Sequence, residues 1–252
     1  MEIVRVFRAL VPRLAVSRGI KHPGALAAAG GALGGGTVLL AALLFATAFS
    51  APSAVGGLSA AGAVGTAPTG KIDYEFVGRI DQDGLNFVSY GYLTYADGLP
   101  NSVLFSDPIN HGETTARITY YATATLTARS VISTVTELNA LGATTFYFDT
   151  GGADFNDPAS FANGTAIGSS TQRSQNIVNV QSPNTAIATN FGELVQLAAG
   201  TFTYGGQTYT FGRVGSQQRS FFTGEGVRTD AVLPRSFIVG AGNATIGQYT
   251  VN

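Results

Sequence analysis

The chain has 252 residues, of which 45% are hydrophobic and only 12% charged, with no Cys and a formal net charge of −1. This charge is too small and too mixed for a polybasic nucleic-acid-binding protein, whose affinity depends on Lys and Arg neutralising phosphates. The absence of Cys excludes a disulfide scaffold, a thiolate zinc site and a cysteine nucleophile. The abundance of Val, Leu, Phe and Tyr excludes a wholly disordered chain.

Residues 1–49 have the pattern of a membrane-targeting leader. The first 70 residues have a net positive charge, whereas residues 71–252 have a net negative charge, and no charged residue occurs between Pro23 and Gly70. A basic N-terminal region, an apolar run (37–49) and small residues after it are typical of a cleaved secretory signal. The alternative is a retained membrane anchor, because residues 24–49 are long enough to span a bilayer.

Both interpretations place residues 71–252 outside the cytoplasm, as a secreted or cell-surface domain. Residues 50–70 are almost all Ala, Gly, Ser, Thr and Pro without periodicity, so they predict a flexible spacer. The predicted organisation is therefore a signal peptide or anchor over 1–49, a spacer over 50–70 and an exported domain over 71–252.

From Lys71 onward the chain has the composition of strands and turns. Residues 72–79 and 86–95 alternate apolar and polar side chains. The longest alternating stretch is 115–133, in which the even positions from 118 to 128 are apolar and are expected on an inner face. A bend is expected within it, because strands seldom exceed about ten residues. Residues 134–141 predict a short helix or a loop, and residues 144–149 predict another strand.

The clearest local signal is a hairpin over 202–211, because Gly205-Gly206 can take the positive φ angles of a two-residue turn. Its register places four rings on one face: Phe202, Tyr204, Tyr209 and Phe211. Further strands are expected around 176–181, 185–189, 193–197, 219–223 and 236–239. About nine or ten strands with frequent turns favour a single all-β domain, an antiparallel sandwich or barrel.

Catalytic chemistry has few candidates. His111 is the one histidine after the leader, and it lies among Pro, Gly and Asn residues that are typical of a solvated loop. The sequence has no Gly-x-Ser-x-Gly elbow and no His-x-x-x-His zinc pair. A hydrolase that uses His111 with Asp149 or Asp154 requires those side chains to meet in one cleft.

Oxygen-bearing side chains cluster on one Gly-containing loop, which makes Asp149, Asp154, Asn156 and Asp157 candidate ligands for Ca²⁺. Their spacing does not match an EF-hand. The alternative is that Asp and Asn build turns there by hydrogen-bonding their own backbone. Calcium is the one cofactor that the sequence suggests.

Two functions remain open besides this hydrolase. The first is a non-enzymatic exported domain that binds an extracellular partner or assembles through its sheet faces. The second is a β-barrel that carries or transforms an apolar small molecule, with the alanine-lined strand 118–128 facing a cavity. A cavity lined by aromatic residues favours the second, whereas a solid core favours the first. No nucleic-acid partner is expected, and membrane contact is expected through residues 24–49 if they are retained.

Overall fold

The computed structural model describes residues 61–230 and 232–249. The predicted leader or anchor (1–49) and the first part of the predicted spacer (50–60) lie outside these residues, so those predictions stay predictions. Within the described ranges, no helix has the length and apolar character needed to cross a membrane.

Eight strands form a closed antiparallel barrel in which each strand pairs with the next along the chain, and the last pairs with the first. They are β2 (Ile72–Asp83), β3 (Asn86–Ala96), β4 (Ile118–Ile132), β5 (Val135–Phe148), β6 (Thr165–Ser182), β7 (Thr185–Ala199), β10 (Ser216–Arg228) and β11 (Arg235–Tyr249). The three strands β1 (Gly62–Val64), β8 (Thr201–Tyr204) and β9 (Gln207–Phe211) form a separate small sheet. A short α-helix (Asn101–Leu104) and a 3-10 helix (Pro158–Ala162) lie in loops. The prediction of an all-β antiparallel fold is confirmed, and the fold is a barrel.

The prediction of a short helix or a loop over 134–141 is wrong, because Thr134 lies in a tight turn and residues 135–141 form the first half of β5. Ser133 takes a positive φ of 53° and lets the chain reverse in a tight turn. Val135 and Thr136 then pair directly with Ile132 and Val131 of β4. Their β-branched side chains favour the extended backbone over a helix.

The folded domain begins before Lys71, which corrects the predicted spacer over its described part. Residues Gly62–Val64 form β1, which pairs in parallel with β9. Val64 and Ala67 are both fully buried. These small apolar residues lack strand periodicity, so their place in the fold depends on a partner strand about 150 residues further along the chain.

β4 is one continuous strand, and the bend expected within 115–133 is a β-bulge. The register with β5 shifts between Leu126 and Ala128, so that Thr127 is the extra residue. Beyond the bulge, Arg129 pairs with Leu138, whose side chain faces into the barrel. The bulge therefore exposes Ala128 to solvent and turns Arg129 towards the barrel interior.

One end of the barrel is closed by the small sheet. The hairpin over 202–211 is confirmed, with Gly205 and Gly206 at φ of 59° and 79°. Phe202 stacks on Phe148 with ring centroids 4.5 Å apart, and Phe211 lies 5.0 Å from Phe146. These contacts place the four-ring face of the hairpin against the strands that end there.

A buried polar network ties the segment before β2 to the same end. Asp73 occupies a bulge in β2 and accepts hydrogen bonds from the backbone N–H of Ala67 (3.0 Å) and from the Gln218 amide (2.6 Å). The Tyr74 hydroxyl donates to the other atom of that amide, Gln218 Oε1, over 3.3 Å. Burial raises the pKa of Asp73 to about 6 despite these two donors.

Candidate ligand-binding cavity

The other end of the barrel is open. The β2–β3, β4–β5 and β6–β7 turns and the β10–β11 loop surround its mouth, and a cavity of about 570 Å³ lies behind them. This volume is in the range of sites that hold small organic molecules. Strand alternation sends every second side chain inward, and the wall is mainly apolar: Ile80, Phe87, Leu126, Leu138, Val178 and Ile238.

A second void of about 70 Å³ lies next to the cavity, and Ile80, Phe87 and Asn176 border both spaces. The wall of this inner chamber contains a layer of uncharged polar side chains: Ser89, Thr144, Gln172, Ser174, Asn176, Asn190 and Ser220. Two pairs within the layer are hydrogen-bonded, Asn190 to Asn176 over 2.7 Å and Thr144 to Gln172 over 2.7 Å. Asn176 and Asn190 are nearly fully buried.

Aromatic rings bound the inner chamber. Tyr74 lies 5.3 Å from Phe146, Phe76 lies 5.5 Å from Tyr120, and both pairs meet edge to face. The Tyr120 hydroxyl is buried beside Ser89; burial raises the pKa of Tyr120, and the Ser89 side chain opposes part of this rise. The hydroxyl reaches over Gly78, whose Cβ, if present, would lie 2.1 Å from it.

Three arginines line the mouth. Arg235 donates to Asp83 over 2.9 Å, and Arg228 donates to the Asp230 carbonyl oxygen over 2.6 Å. The side chain of Arg129, turned inward by the β4 bulge, makes no hydrogen bond or ion pair with the residues that the structure describes. The charged residues that line the mouth are thus all arginines, whereas no charged side chain borders the inner chamber.

The predicted calcium ligands lie on the β5–β6 loop, which starts at the closed end of the barrel. Asp149 accepts a hydrogen bond from the Gly151 N–H, and Asp154 accepts one from the Asn156 N–H and one from the Asn156 side chain. Asp157 forms a β-bridge with Asp154. No group of three or more His, Cys, Asp or Glu in the described ranges is arranged to hold a metal ion. These contacts are the ones expected if Asp and Asn build turns by hydrogen-bonding nearby backbone groups. The calcium site stays a prediction.

His111 lies on the β3–β4 loop with its ring stacked on Phe105, the centroids 4.1 Å apart. Hydrogen bonds from the backbone and side chain of Asn110 hold the pKa of the preceding Asp107 at about 2. Over the described ranges, no hydrogen bond or ion pair joins His111 to Asp149 or Asp154. The hydrolase hypothesis gains no support from these contacts.

Sequence reasoning missed Arg129, Asn176 and Asn190. Alternation placed Arg129 on the polar face of its strand, because a bulge has no local signal in a run of Thr and Ala. Asn176 was predicted to lie in a strand, but the sequence did not show which side of the sheet its side chain faces. The available signal is a change of polarity along one face of β6, where Gln172, Ser174 and Asn176 are polar and the next two residues on that face, Val178 and Val180, are apolar.

A second surface bears on the alternative function. On the outer wall, Phe191 of β7 faces Phe221 of β10 with ring centroids 5.6 Å apart, and both are exposed. Ile187 of β7 and Val239 of β11 are exposed on the same wall.

Comparison of the chain with protein-family models, with curated proteins and with solved structures finds no match.

Proposed function

We propose that the barrel binds a predominantly apolar small molecule in the cavity behind its open mouth. The observation that carries this proposal is a 570 Å³ space with an apolar wall, open at one end of a barrel whose other end is closed. Barrels of eight strands are narrow enough for side chains to fill them. Here the side chains leave space that they do not fill, and a ligand in that space gains packing contacts with the wall.

Binding without chemical conversion is favoured by the side chains that face the ligand. Among the residues that border the two chambers, none is Asp, Glu, His, Lys or Cys. General acid–base catalysis needs a side chain that exchanges protons near neutral pH within hydrogen-bond reach of the substrate. We therefore propose a carrier or receptor domain.

A cavity-filling variant tests the proposal. Ala186 lines the cavity near the mouth, whereas the next residue, Ile187, is 50% exposed on the outer wall. The probe is N-phenyl-1-naphthylamine, a neutral apolar dye whose fluorescence rises on leaving water. We expect Ala186→Trp to weaken dye binding by about tenfold or more, because the indole occupies the dye's volume. The matched variant Ile187→Trp is expected to bind like the unmodified protein.

Equal binding by the two variants would place the dye elsewhere, and no binding by the unmodified protein would refute the proposal. Thermal unfolding of both variants checks that each is folded.

We further propose that the domain works outside the cytoplasm, on the basis of the leader pattern in 1–49. The mass of the protein isolated from its own host separates the two forms. A chain that begins near residues 49–55 indicates a cleaved signal, and the full-length mass indicates a retained anchor or a chain that is not exported. Fractionation then decides between the last two, and recovery in the cytoplasm would contradict the proposed location.

A further inference from the structure

We propose that the ligand carries an uncharged oxygen function, a hydroxyl or a carbonyl, at the end that enters the barrel first, and that Asn176 and Asn190 bind it. This inference rests on the proposed function, since it names the chemical class of the molecule in the cavity.

The two amides are neighbours on adjacent strands. Asn176 of β6 and Asn190 of β7 are directly paired in register, and their exposed fractions are 7% and 8%. Asn190 Nδ2 donates to Asn176 Oδ1 over 2.7 Å. This bond leaves the Asn176 amide NH₂ and Asn190 Oδ1 without a hydrogen-bond partner among the described residues. Reversing both amides exchanges the two roles but still leaves one donor and one acceptor.

The position of the pair indicates which part of a ligand reaches it. Asn176 borders both the cavity and the inner chamber, so its amide lies where the apolar wall ends. Buried polar groups are normally hydrogen-bonded, and a donor beside an acceptor at the inner end of an apolar pocket fixes the orientation of a ligand. A hydroxyl satisfies both groups, and a carbonyl satisfies the donor.

Charge excludes an anionic group from this position. The side chains around the inner chamber are all uncharged, so a carboxylate there loses its hydration without gaining a cation. The arginines lie at the mouth. Val180, which borders the mouth, is four residues from Asn176 along β6, about 13 Å of strand. An anionic head group is therefore expected to stay with Arg129 and not to reach the amides.

Three matched aromatic probes test the inference. 2-Ethylnaphthalene, 2-acetylnaphthalene and 2-naphthoate share one ring system and differ in being apolar, carbonyl-bearing and anionic. Each competes with N-phenyl-1-naphthylamine for the unmodified protein and for Asn176→Leu/Asn190→Leu, in which similar volumes replace both amides. Asn179→Leu places the same substitution on the exposed outer face of β6 and serves as the control.

We expect the unmodified protein and Asn179→Leu to prefer the acetyl probe over the ethyl probe by about tenfold. The double variant is expected to lose that preference while it binds the ethyl probe at least as well. Equal affinity of the unmodified protein for both probes would overturn the inference, as would a preference that survives in the double variant. Tightest binding of 2-naphthoate, abolished by Arg129→Gln, would also overturn it by placing the polar group at the mouth. In each of these outcomes the proposed function stands, whereas it fails if the unmodified protein does not bind the dye.

Discussion

The substitution Asp73→Asn tests how burial of the Asp73 carboxyl affects the stability of the fold at different pH values. The carboxyl has a pKa of about 6 in the folded protein because burial disfavours its charge, against an ordinary value of 3.8. The substitution keeps the shape of the side chain. If the Gln218 amide rotates, it accepts a hydrogen bond from the new amide and donates to Tyr74, so the network remains connected.

The sign and size of the effect follow from proton linkage. Because the folded protein holds the proton more tightly than the unfolded chain, the carboxyl stabilises the fold below pH 3.8, and this contribution is lost as the pH rises through 6. The interval between the two pKa values corresponds to about 3 kcal/mol. Relative to the Asp73→Asn variant, the unmodified protein is thus expected to lose about 3 kcal/mol of unfolding free energy, mostly between about pH 4 and 7.

Urea unfolding of both proteins at several pH values measures this difference, and the other carboxyl groups cancel in the subtraction. A carbon NMR titration of the Asp73 carboxyl gives the folded pKa directly, with an expected midpoint near 6. A difference that does not vary with pH, or one that increasingly favours the carboxylate as the pH rises, would refute the reasoning.

Three further substitutions follow from contacts in the barrel. Gly78→Ala would place a methyl group 2.1 Å from the Tyr120 hydroxyl and 2.5 Å from a backbone oxygen, so we expect a loss of about 2–3 kcal/mol in urea unfolding. Gly226→Ala meets nothing closer than 3.5 Å, and an equal loss there would show that the close approach is not the cause. Gln196→Leu removes the amide that donates to the Phe211 carbonyl over 3.0 Å, so faster hydrogen exchange in the β8–β9 hairpin is expected, and unchanged exchange would contradict it. Arg129→Gln is expected to leave the affinity for N-phenyl-1-naphthylamine within about twofold, since the dye is neutral, and a larger loss in dye titrations would show that the arginine contacts it.

The sequence predicted those elements whose signal is local. The 202–211 hairpin has its turn glycines and its rings within ten residues, and the alternation in 118–126 identifies the inner face of β4. β1 was not predicted, because its residues are small and its partner strand is distant. The first half of β5 was predicted as a short helix or a loop, because Thr134 to Leu141 mixes apolar and polar residues without a clean period of two.

The cavity could be suspected from the alanines of β4 but not located. Whether Ala122 and Ala124 face a large side chain or an empty space depends on which strands close the barrel, and closure joins β2 to β11, about 165 residues apart. The orientation of Arg129 depends on one extra residue in β4. Such features are set by pairing between distant strands, which a single sequence does not encode locally.

Methyl NMR of the protein titrated with N-phenyl-1-naphthylamine tests the proposed binding site most directly, because it separates the lumen from the outer wall. Leu138, Val178 and Ile238 line the cavity, whereas Leu197 and Val239 are exposed outside it. We expect the cavity methyl groups to shift with one saturable dissociation constant while the outer ones stay unchanged. Shifts confined to Leu197, Val239 and their exposed neighbours would contradict the proposal and place binding on the outer face of the barrel.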